Sequence, residues 1–175
     1  MYRERALPPL LLLLAVIALV IAPMGTARAA DSAPVTPMAD SYYTTYSIVN
    51  KSVVSTNWTN RSQIVGSCKV STTGSSCTIT SGKSATVTVN ASLGATQKWV
   101  AGQLGISAGK TITITTSCSS PPLKAGSEYR AAAVGTRYQY KVKKSTHMDG
   151  RIVSSTTSGW LYAFNPNPTR IHCGV

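Results

Sequence analysis

Acidic residues are scarce in this chain of 175 residues, which has 17 Lys and Arg but only five Asp and Glu. Glu4 precedes a long apolar run, Asp31 and Asp40 lie in a Pro-rich segment, and Asp149 falls in a predicted turn. Glu128 is therefore the only carboxylate that we expect on an ordered surface. Glycosidases normally act with a pair of carboxylates, so this composition argues against that class of enzyme.

Histidine and the common catalytic motifs are also scarce. His147 lies beside the predicted turn and His172 adjoins Cys173, so we expect both to be surface residues. The chain has no HExxH or CxxC motif and no glycine-rich phosphate loop. We therefore predict a protein that is not an enzyme and that needs no cofactor or metal.

Long apolar runs are absent after the first 22 residues, so no later segment is predicted to span a membrane as a helix. The run over residues 7–22 follows Arg3 and Arg5 and precedes Ala27-Arg28-Ala29, which is the order of a Sec-type signal peptide. We predict a signal peptide over residues 1–29, a flexible lead-in over 30–41 and one secreted, extracellular domain over 42–175. An uncleaved membrane anchor is the alternative.

The positive charge is high for one small domain. The full chain carries +12, and loss of residues 1–29 would leave 14 Lys and Arg against four Asp and Glu, or +10. Such a charge favours anionic partners: teichoic or other wall polymers, acidic polysaccharides, anionic lipid surfaces or nucleic acid. A solvated surface that only aids solubility is the alternative.

The four cysteines all follow the predicted signal peptide. An even number in an exported chain is typical of two disulfides. We favour the pairs Cys68–Cys77 and Cys118–Cys173, which would close a short loop and tie the C-terminus to the central strand region. A metal site is a weaker alternative, because the spacing is not CxxC.

Thr, Ser, Val, Ile, Tyr and Gly dominate the mature sequence, and no long stretch has a helical period. This pattern predicts an all-β, antiparallel, β-sandwich-like domain. The segments 62–70 and 76–80 are predicted to form a hairpin, and Asp149-Gly150 is typical of a type I′ turn. The predicted strands cover residues 42–54, 62–70, 76–80, 85–93, 111–118, 128–148 with an interruption at Gly135, 151–157, 160–164 and, after a break at 165–168, 170–173.

Residues 84–118 alternate between apolar and polar side chains, on odd numbers in the first arm and on even numbers in the second. A turn at Ala101-Gly102 would pair Val89 with Ile114 and place the apolar residues on one face. A further break at Ala108-Gly109 is the alternative. We predict a hairpin that covers a core. The other hypothesis is a membrane-inserting hairpin with Trp99 at the interface.

The segment RYQYKVKK, residues 137–144, separates its rings from its cations. By alternation, Tyr138, Tyr140 and Val142 share one face. Arg137, Lys141 and Lys143 share the other, with Lys144 nearby. A platform that stacks nucleic-acid bases needs rings and cations on one exposed surface, so we predict no specific nucleic-acid binding. The four cations are instead candidates for binding an anionic surface, or form a solvated sheet face.

The rings of GWLYAF, Trp160, Tyr162 and Phe164, share one face of a predicted strand. Three rings in a row suit a sheet core or a carbohydrate platform. Because large apolar residues are few in this chain, we predict that they lie in the core.

The motifs SCKVSTTGSSCTITSGKSATVTVNASLG, QLGIS, LKAGSEYRAAAVGTRYQYKVKK, SGWLYAFNP and IHC resemble small secreted proteins of Streptomyces-like actinobacteria. The resemblance covers residues 68–173 and implies an exported Gram-positive protein without implying an activity. Residues 84–118 also resemble the Ser/Thr-rich strands of aerolysin-like pore-forming proteins.

These observations predict a cationic binding module that acts at the cell envelope or another anionic surface. A small membrane-active protein that uses the 84–118 hairpin is the first alternative. A secreted hydrolase or inhibitor with an unrecognised site is the second.

Overall fold

The computed structural model describes residues 41–174, and the predicted signal peptide and nearly all of the lead-in lie outside this part. The described chain is an all-β antiparallel domain, which confirms the predicted fold class. No helix within residues 41–174 has the length and apolar character needed to cross a membrane. The elements are β1 (Tyr42–Lys69), β2 (Thr78–Ile79), β3 (Lys83–Thr86), β4 (Thr88–Val89), α1 (Gln97–Leu104), β5 (Thr111–Ile114), β6 (Cys118–Ser119), β7 (Glu128–Met148), β8 (Arg151–Thr157) and β9 (Leu161–Gly174).

The long strand β7 organises the main sheet. β1 pairs with one edge of β7 along its whole length. The other edge of β7 is shared, because residues 130–140 pair with β9 and residues 143–148 pair with β8. β4 adds to the far edge of β9, and two small ladders, β2–β6 and β3–β5, complete the described strands.

The sequence located β7 and β8 correctly, and the turn between them is confirmed by positive φ angles at Asp149 (48°) and Gly150 (78°). The predicted interruption at Gly135 is wrong, because β7 runs through it. The predicted break at 165–168 is also wrong, because β9 continues through Pro166 and Pro168. Its pairing nevertheless slips there, since Gly135 pairs with Pro166 and Ala133 pairs with Ile171.

The predicted hairpin between 62–70 and 76–80 is not formed. β1 continues to Lys69 and pairs with β7, while β2 pairs with β6. The long-range β1–β7 ladder therefore takes the place of the predicted local hairpin. The Cys68–Cys77 disulfide, and not strand pairing, joins β1 to the segment before β2.

The predicted two-armed hairpin over 84–118 is also wrong in its centre, where the chain forms α1. The side chain of Thr96 accepts a hydrogen bond from the Trp99 N–H (3.2 Å) and caps the helix. Gly105, with φ 75°, ends it in the left-handed conformation that glycine adopts easily. The ladder that remains pairs Ala85 with Ile112, so the predicted Val89–Ile114 register is wrong, and Val89 pairs with Ala163 of β9.

The predicted apolar parity of this segment is nevertheless confirmed. Ala85, Val87 and Val89 are buried, and their polar neighbours in the strand are exposed. From the second arm, Leu104 and Ile114 are buried as well. The parity is correct because it reflects which side of the chain contacts the core, whereas the register depends on the segment between the two arms, which forms α1 and not a turn.

The core divides into two clusters that pack on opposite faces of β7. Where the pairing shifts register, the inserted residues lie on β1, β8 or β9 and never on β7. The side chains of β7 therefore alternate regularly between the two faces of the sheet. Before Gly135, odd-numbered side chains (Tyr129, Ala131, Ala133) enter one cluster. After Gly135, even-numbered side chains (Tyr138, Tyr140, Val142) enter the other. We call residues 128–134 of β7 with the first cluster the disulfide half, and residues 136–142 with the second cluster the helix half.

Both disulfides border the core of the disulfide half. Cys68 bonds to Cys77 and Cys118 bonds to Cys173, which confirms the predicted pairing. All four cysteines pack against the first cluster. They are therefore not available as metal ligands.

The helix half is closed by α1 and by one buried hydroxyl. Val100, Ala101 and Leu104 of α1 are buried in the second cluster. Tyr140 is fully buried, and its hydroxyl donates a short hydrogen bond of 2.5 Å to the backbone oxygen of Asn90. Burial raises the pKa of Tyr140 to about 12, so the phenol stays neutral.

Candidate functional site

The face of the helix half that α1 does not cover carries cations directly over aromatic rings. The Arg137 guanidinium carbon lies 4.5 Å from the centre of the Trp58 ring and 4.2 Å from that of Tyr162. The Lys141 ammonium lies 4.7 Å from the centre of the Trp160 ring. We call these five residues the basic–aromatic surface. Each contact is within the range of a cation–π interaction.

Three strands build this surface through their register. Arg137 and Lys141 stand on the odd-numbered face of β7, and each is two residues away from Gln139. Gln139 pairs with Tyr162, so the ring of Tyr162 lies on the same face. Trp58 comes from β1, opposite Gly135. Trp58 also packs edge-on against Phe164, with ring centres 5.4 Å apart, which fixes the inner side of the surface to the core.

The predicted separation of rings and cations within residues 137–144 is confirmed, because Tyr140 is buried on the face opposite Arg137. Rings and cations nevertheless meet on one surface, which the segment 137–144 alone does not reveal. The rings that meet the cations come from other strands, at Trp58, Trp160 and Tyr162. Pairing between distant strands brings them together, and a single strand does not reveal it.

The predicted core position of the GWLYAF rings is correct only for Phe164, which is 3% exposed. Trp160 is 47% exposed and Tyr162 is 36% exposed. These two rings stand beside the cations of β7, with much of their surface open to solvent. Exposed Trp and Tyr that are not needed for packing are typical of binding surfaces.

The four predicted cations do not all lie on one face. Lys143 follows Lys141 on the odd-numbered face of β7 and extends the positive charge toward β8. Lys144 falls on the opposite face by alternation, where it pairs with Tyr46 of β1. The candidate site therefore keeps Arg137, Lys141 and Lys143 and loses Lys144.

A small cavity opens beside Arg137. It has a volume of about 190 Å³, and the side chains that line it include Trp58, Tyr162 and the polar residues Asn60, Thr88 and Asn90. Asn60 is buried, and its side-chain oxygen accepts a hydrogen bond from the Ser62 N–H (3.2 Å). The cavity thus combines ring faces, a guanidinium and amide groups that both donate and accept hydrogen bonds.

No carboxylate among residues 41–174 neutralises the basic–aromatic surface. Asp149 accepts a hydrogen bond from the Ser41 N–H (3.2 Å) at the β7–β8 turn. Glu128 pairs with Arg130 (2.6 Å) in the disulfide half. Hydrogen bonds from Arg130 and from Ser67 hold the pKa of Glu128 below its usual range, so this carboxylate is ionised. Arg137 and Lys141 are left with rings alone as neighbours that stabilise charge.

The two histidines occupy different places. His147 stacks on Tyr43 with ring centres 4.6 Å apart, and its Nε2 lies 2.9 Å from the Thr45 hydroxyl. His172 lines a second cavity, together with Glu128. Among residues 41–174, the side-chain hydrogen bonds of Glu128 come from Arg130 and Ser67, and none joins it to His172.

Trp99, the candidate for a membrane interface, lies in α1 and packs against Tyr46 with ring centres 5.9 Å apart. It is partly buried against the second core cluster. It therefore has a structural role in the helix half, and the strand arm that would have carried it is absent.

No family model matches this chain, and neither a curated protein nor a solved structure matches it. The basic–aromatic surface defines the candidate site by its own geometry. Its rings come from β1, from β9 and from Trp160 just before β9, its cations come from β7, and a small polar cavity lies at one end.

Proposed function

We propose that this protein is a secreted, non-enzymatic binding module for acidic polymers of the cell envelope, and that it binds them through the basic–aromatic surface. The observation that carries this proposal is Arg137, which lies over two rings with no carboxylate beside it. A guanidinium in this position keeps donors free for carboxylate or phosphate oxygens, because ring faces use few of its N–H groups.

The exposed rings favour an acidic polysaccharide or wall polymer over a small anion that offers only charge. Trp160 and Tyr162 offer flat apolar faces against which sugar C–H groups can pack, while Lys141 and Arg137 stand beside them for acidic substituents. The cavity beside Arg137 has a volume of about 190 Å³. It offers amide groups to ligand hydroxyls.

Secretion is part of the proposal. The two disulfides are typical of chains that fold in an oxidising environment. The high positive charge supports attraction to an anionic envelope, and its effect should weaken as salt screens it.

The test is retention of the purified mature protein on isolated wall fractions and on anionic vesicles in parallel, at low and high salt. We expect salt-sensitive retention on the wall fraction and no release of dye from the vesicles. Dye release would favour the membrane-active alternative and contradict the proposal. Absence of retention on the wall fraction at low salt would also contradict it.

Two matched variants separate this site from general charge attraction. Arg137→Gln and Lys124→Gln each remove one positive charge, and Lys124 is exposed in a turn away from the rings. We expect Arg137→Gln to weaken binding about ten- to hundredfold, since charge-assisted hydrogen bonds contribute about 1.5–3 kcal/mol. Lys124→Gln should change it little. Equal losses would mean that net charge alone drives binding.

A further inference from the structure

A second cavity, of about 490 Å³, opens on the other face of the sheet in the disulfide half. Its lining includes Arg130 and Ala132, which are even-numbered residues of β7, whereas Arg137 and Lys141 are odd-numbered. The cavity therefore shares no residue with the basic–aromatic surface. An inference about it does not rest on the function proposed for that surface.

Two local irregularities in neighbouring strands shape this cavity. In β1, residues 61–63 are inserted between Asn60 and Ile64, which pair with adjacent residues of β7. The side chain of Gln63 turns to β3, where it forms two hydrogen bonds with the backbone of Thr86 (2.8 and 3.1 Å). Arg61 lines the cavity. Bulges are known to redirect side chains in this way, often beside binding sites.

The second irregularity lies in β9. Residues 167–170 are inserted between Pro166 and Ile171, and the strand then resumes with His172 opposite Ala132. Ile64 of β1 pairs with Ala132 from the other side. The small side chain of Ala132 thus forms a floor between two larger neighbours. Room for a ligand exists here because that position of β7 carries only a methyl group.

The cavity collects donors from three strands. Arg61 comes from β1, Arg130 from β7 and His172 from β9. Glu128, the one carboxylate in the lining, already accepts a hydrogen bond from Arg130 (2.6 Å). That bond orients the guanidinium and leaves its other N–H groups free. Arg61 forms no ion pair with the carboxylates of residues 41–174.

We propose that this cavity is a second binding site, and that it takes a phosphate group carried on a polyol or sugar. Donors that converge from three strands suit a tetrahedral anion with several oxygens better than a planar carboxylate with two. Guanidinium groups also pair well with phosphate. The Glu128 carboxylate, which accepts hydrogen bonds from Arg130 and Ser67, has the capacity to accept another from a hydroxyl of the same ligand.

The experiment uses the two histidines as reporters, since the chain has no others. The mature protein is titrated with inorganic phosphate and with glycerol 1-phosphate while the imidazole resonances are followed by NMR at constant ionic strength. We expect a saturable shift of His172. His147, stacked on Tyr43, should remain unchanged. Glycerol 1-phosphate should bind more tightly than inorganic phosphate.

Three variants complete the test. Arg61→Gln, at an exposed position, should weaken phosphate binding about tenfold, and Lys124→Gln should leave it unchanged. Arg137→Gln should also leave it unchanged, which separates this site from the basic–aromatic surface. A His172 resonance that does not move, or that moves equally with sodium chloride, would overturn the proposal. So would an Arg61→Gln protein that binds phosphate like the wild type.

Discussion

The disulfide half and the helix half belong to one sheet, yet they bury opposite faces of the same strand and are stabilised by different means. The disulfide half has small alanines on β7 and two covalent bonds around its core. The helix half has large side chains on β7, a capped helix and a buried tyrosine hydroxyl. The comparison teaches that one strand can serve two cores when its buried face changes at a glycine.

This exchange of faces also determines which residues meet solvent. In each half, the face of β7 opposite the core carries arginines: Arg130 in the disulfide half and Arg137 in the helix half. Binding surfaces of different character result. The basic–aromatic surface is lined by rings, whereas the second cavity has Ala132 at its base and charged side chains around it. The two lie on opposite faces of the sheet.

The largest expected effect concerns the disulfide half. Replacing Cys118 and Cys173 by Ser removes a bond that spans 55 residues, and we expect a loss of about 4 kcal/mol of unfolding free energy. Replacing Cys68 and Cys77, which span nine residues, should cost about 2.5 kcal/mol. Urea denaturation measures both. If the halves are stabilised separately, hydrogen exchange should rise in β6 and the end of β9 while α1 stays protected. Equal loss of protection in α1 would contradict this.

Gly135→Ala tests the position at which the buried face of β7 changes from odd-numbered to even-numbered residues. A Cβ atom there would overlap the backbone oxygen of Asn165 and lie 2.7 Å from the Pro166 Cα, and neither atom belongs to a flexible side chain. We expect a loss of about 3 kcal/mol, measured by thermal denaturation. Gly159→Ala is the control, because its Cβ would have no neighbour within 4 Å. A Gly135→Ala protein as stable as this control would show that the close approach is not needed.

The helix half should respond to Tyr140→Phe. The variant leaves the Asn90 oxygen without its donor and should cost about 1–2 kcal/mol. The pH dependence gives a sharper result. The phenol has a pKa of about 12 when folded and about 10 when unfolded, so the unfolded chain loses this proton first.

Stability contributed by neutral Tyr140 is therefore complete below pH 10 and is lost between pH 10 and 12. Urea midpoints at pH 9 and pH 11 should differ more for the wild type than for Tyr140→Phe. Because lysines titrate in the same range in both proteins, the difference between the two isolates Tyr140. Identical pH dependence would refute this assignment.

The smallest effect is a gain in the helix half. Gly102 lies inside α1, and a Cβ there would meet nothing within 4 Å. Gly102→Ala should raise the unfolding free energy by about 0.5–1 kcal/mol. Gly105→Ala should lower it, because Gly105 has a φ of 75°. A similar sign for both substitutions would contradict the helix and its cap.

The parts of the fold that sequence predicted well are those that depend on neighbouring residues. β7 and β8 follow from alternation around Asp149-Gly150, a local turn signal. The helix was missed although its signals are present: Thr96 as a cap, Gly105 after the last turn, and apolar residues at 100, 101 and 104. The eight residues of α1 lie between two β-branched segments. Because those flanking arms alternate, the whole segment was interpreted as two strands and a turn.

The candidate site was predicted only in its cations. Arg137, Lys141 and Lys143 could be assigned to one face from alternation alone. Their rings come from Trp58, Trp160 and Tyr162, and the register that aligns them is set by bulges and by the slip of β9 near Pro166. Alternation along one strand cannot supply that register. The second cavity depends on the insertions in β1 and β9, so no pattern within one segment of the sequence predicts it.

The irregular pairing of β1 has one more consequence. β1 is 28 residues long and lies at the edge of the main sheet. An edge strand of that length, if straight, would offer a long row of free backbone groups on which another chain could add and start aggregation. The pairing of β1 with β7 shifts register at five places, the first of them next to Asn50, whose φ is 54°. These shifts divide the outer side into short, differently directed pieces, so the same bulges that place Trp58 and Arg61 also make this edge a poorer template for the addition of another chain.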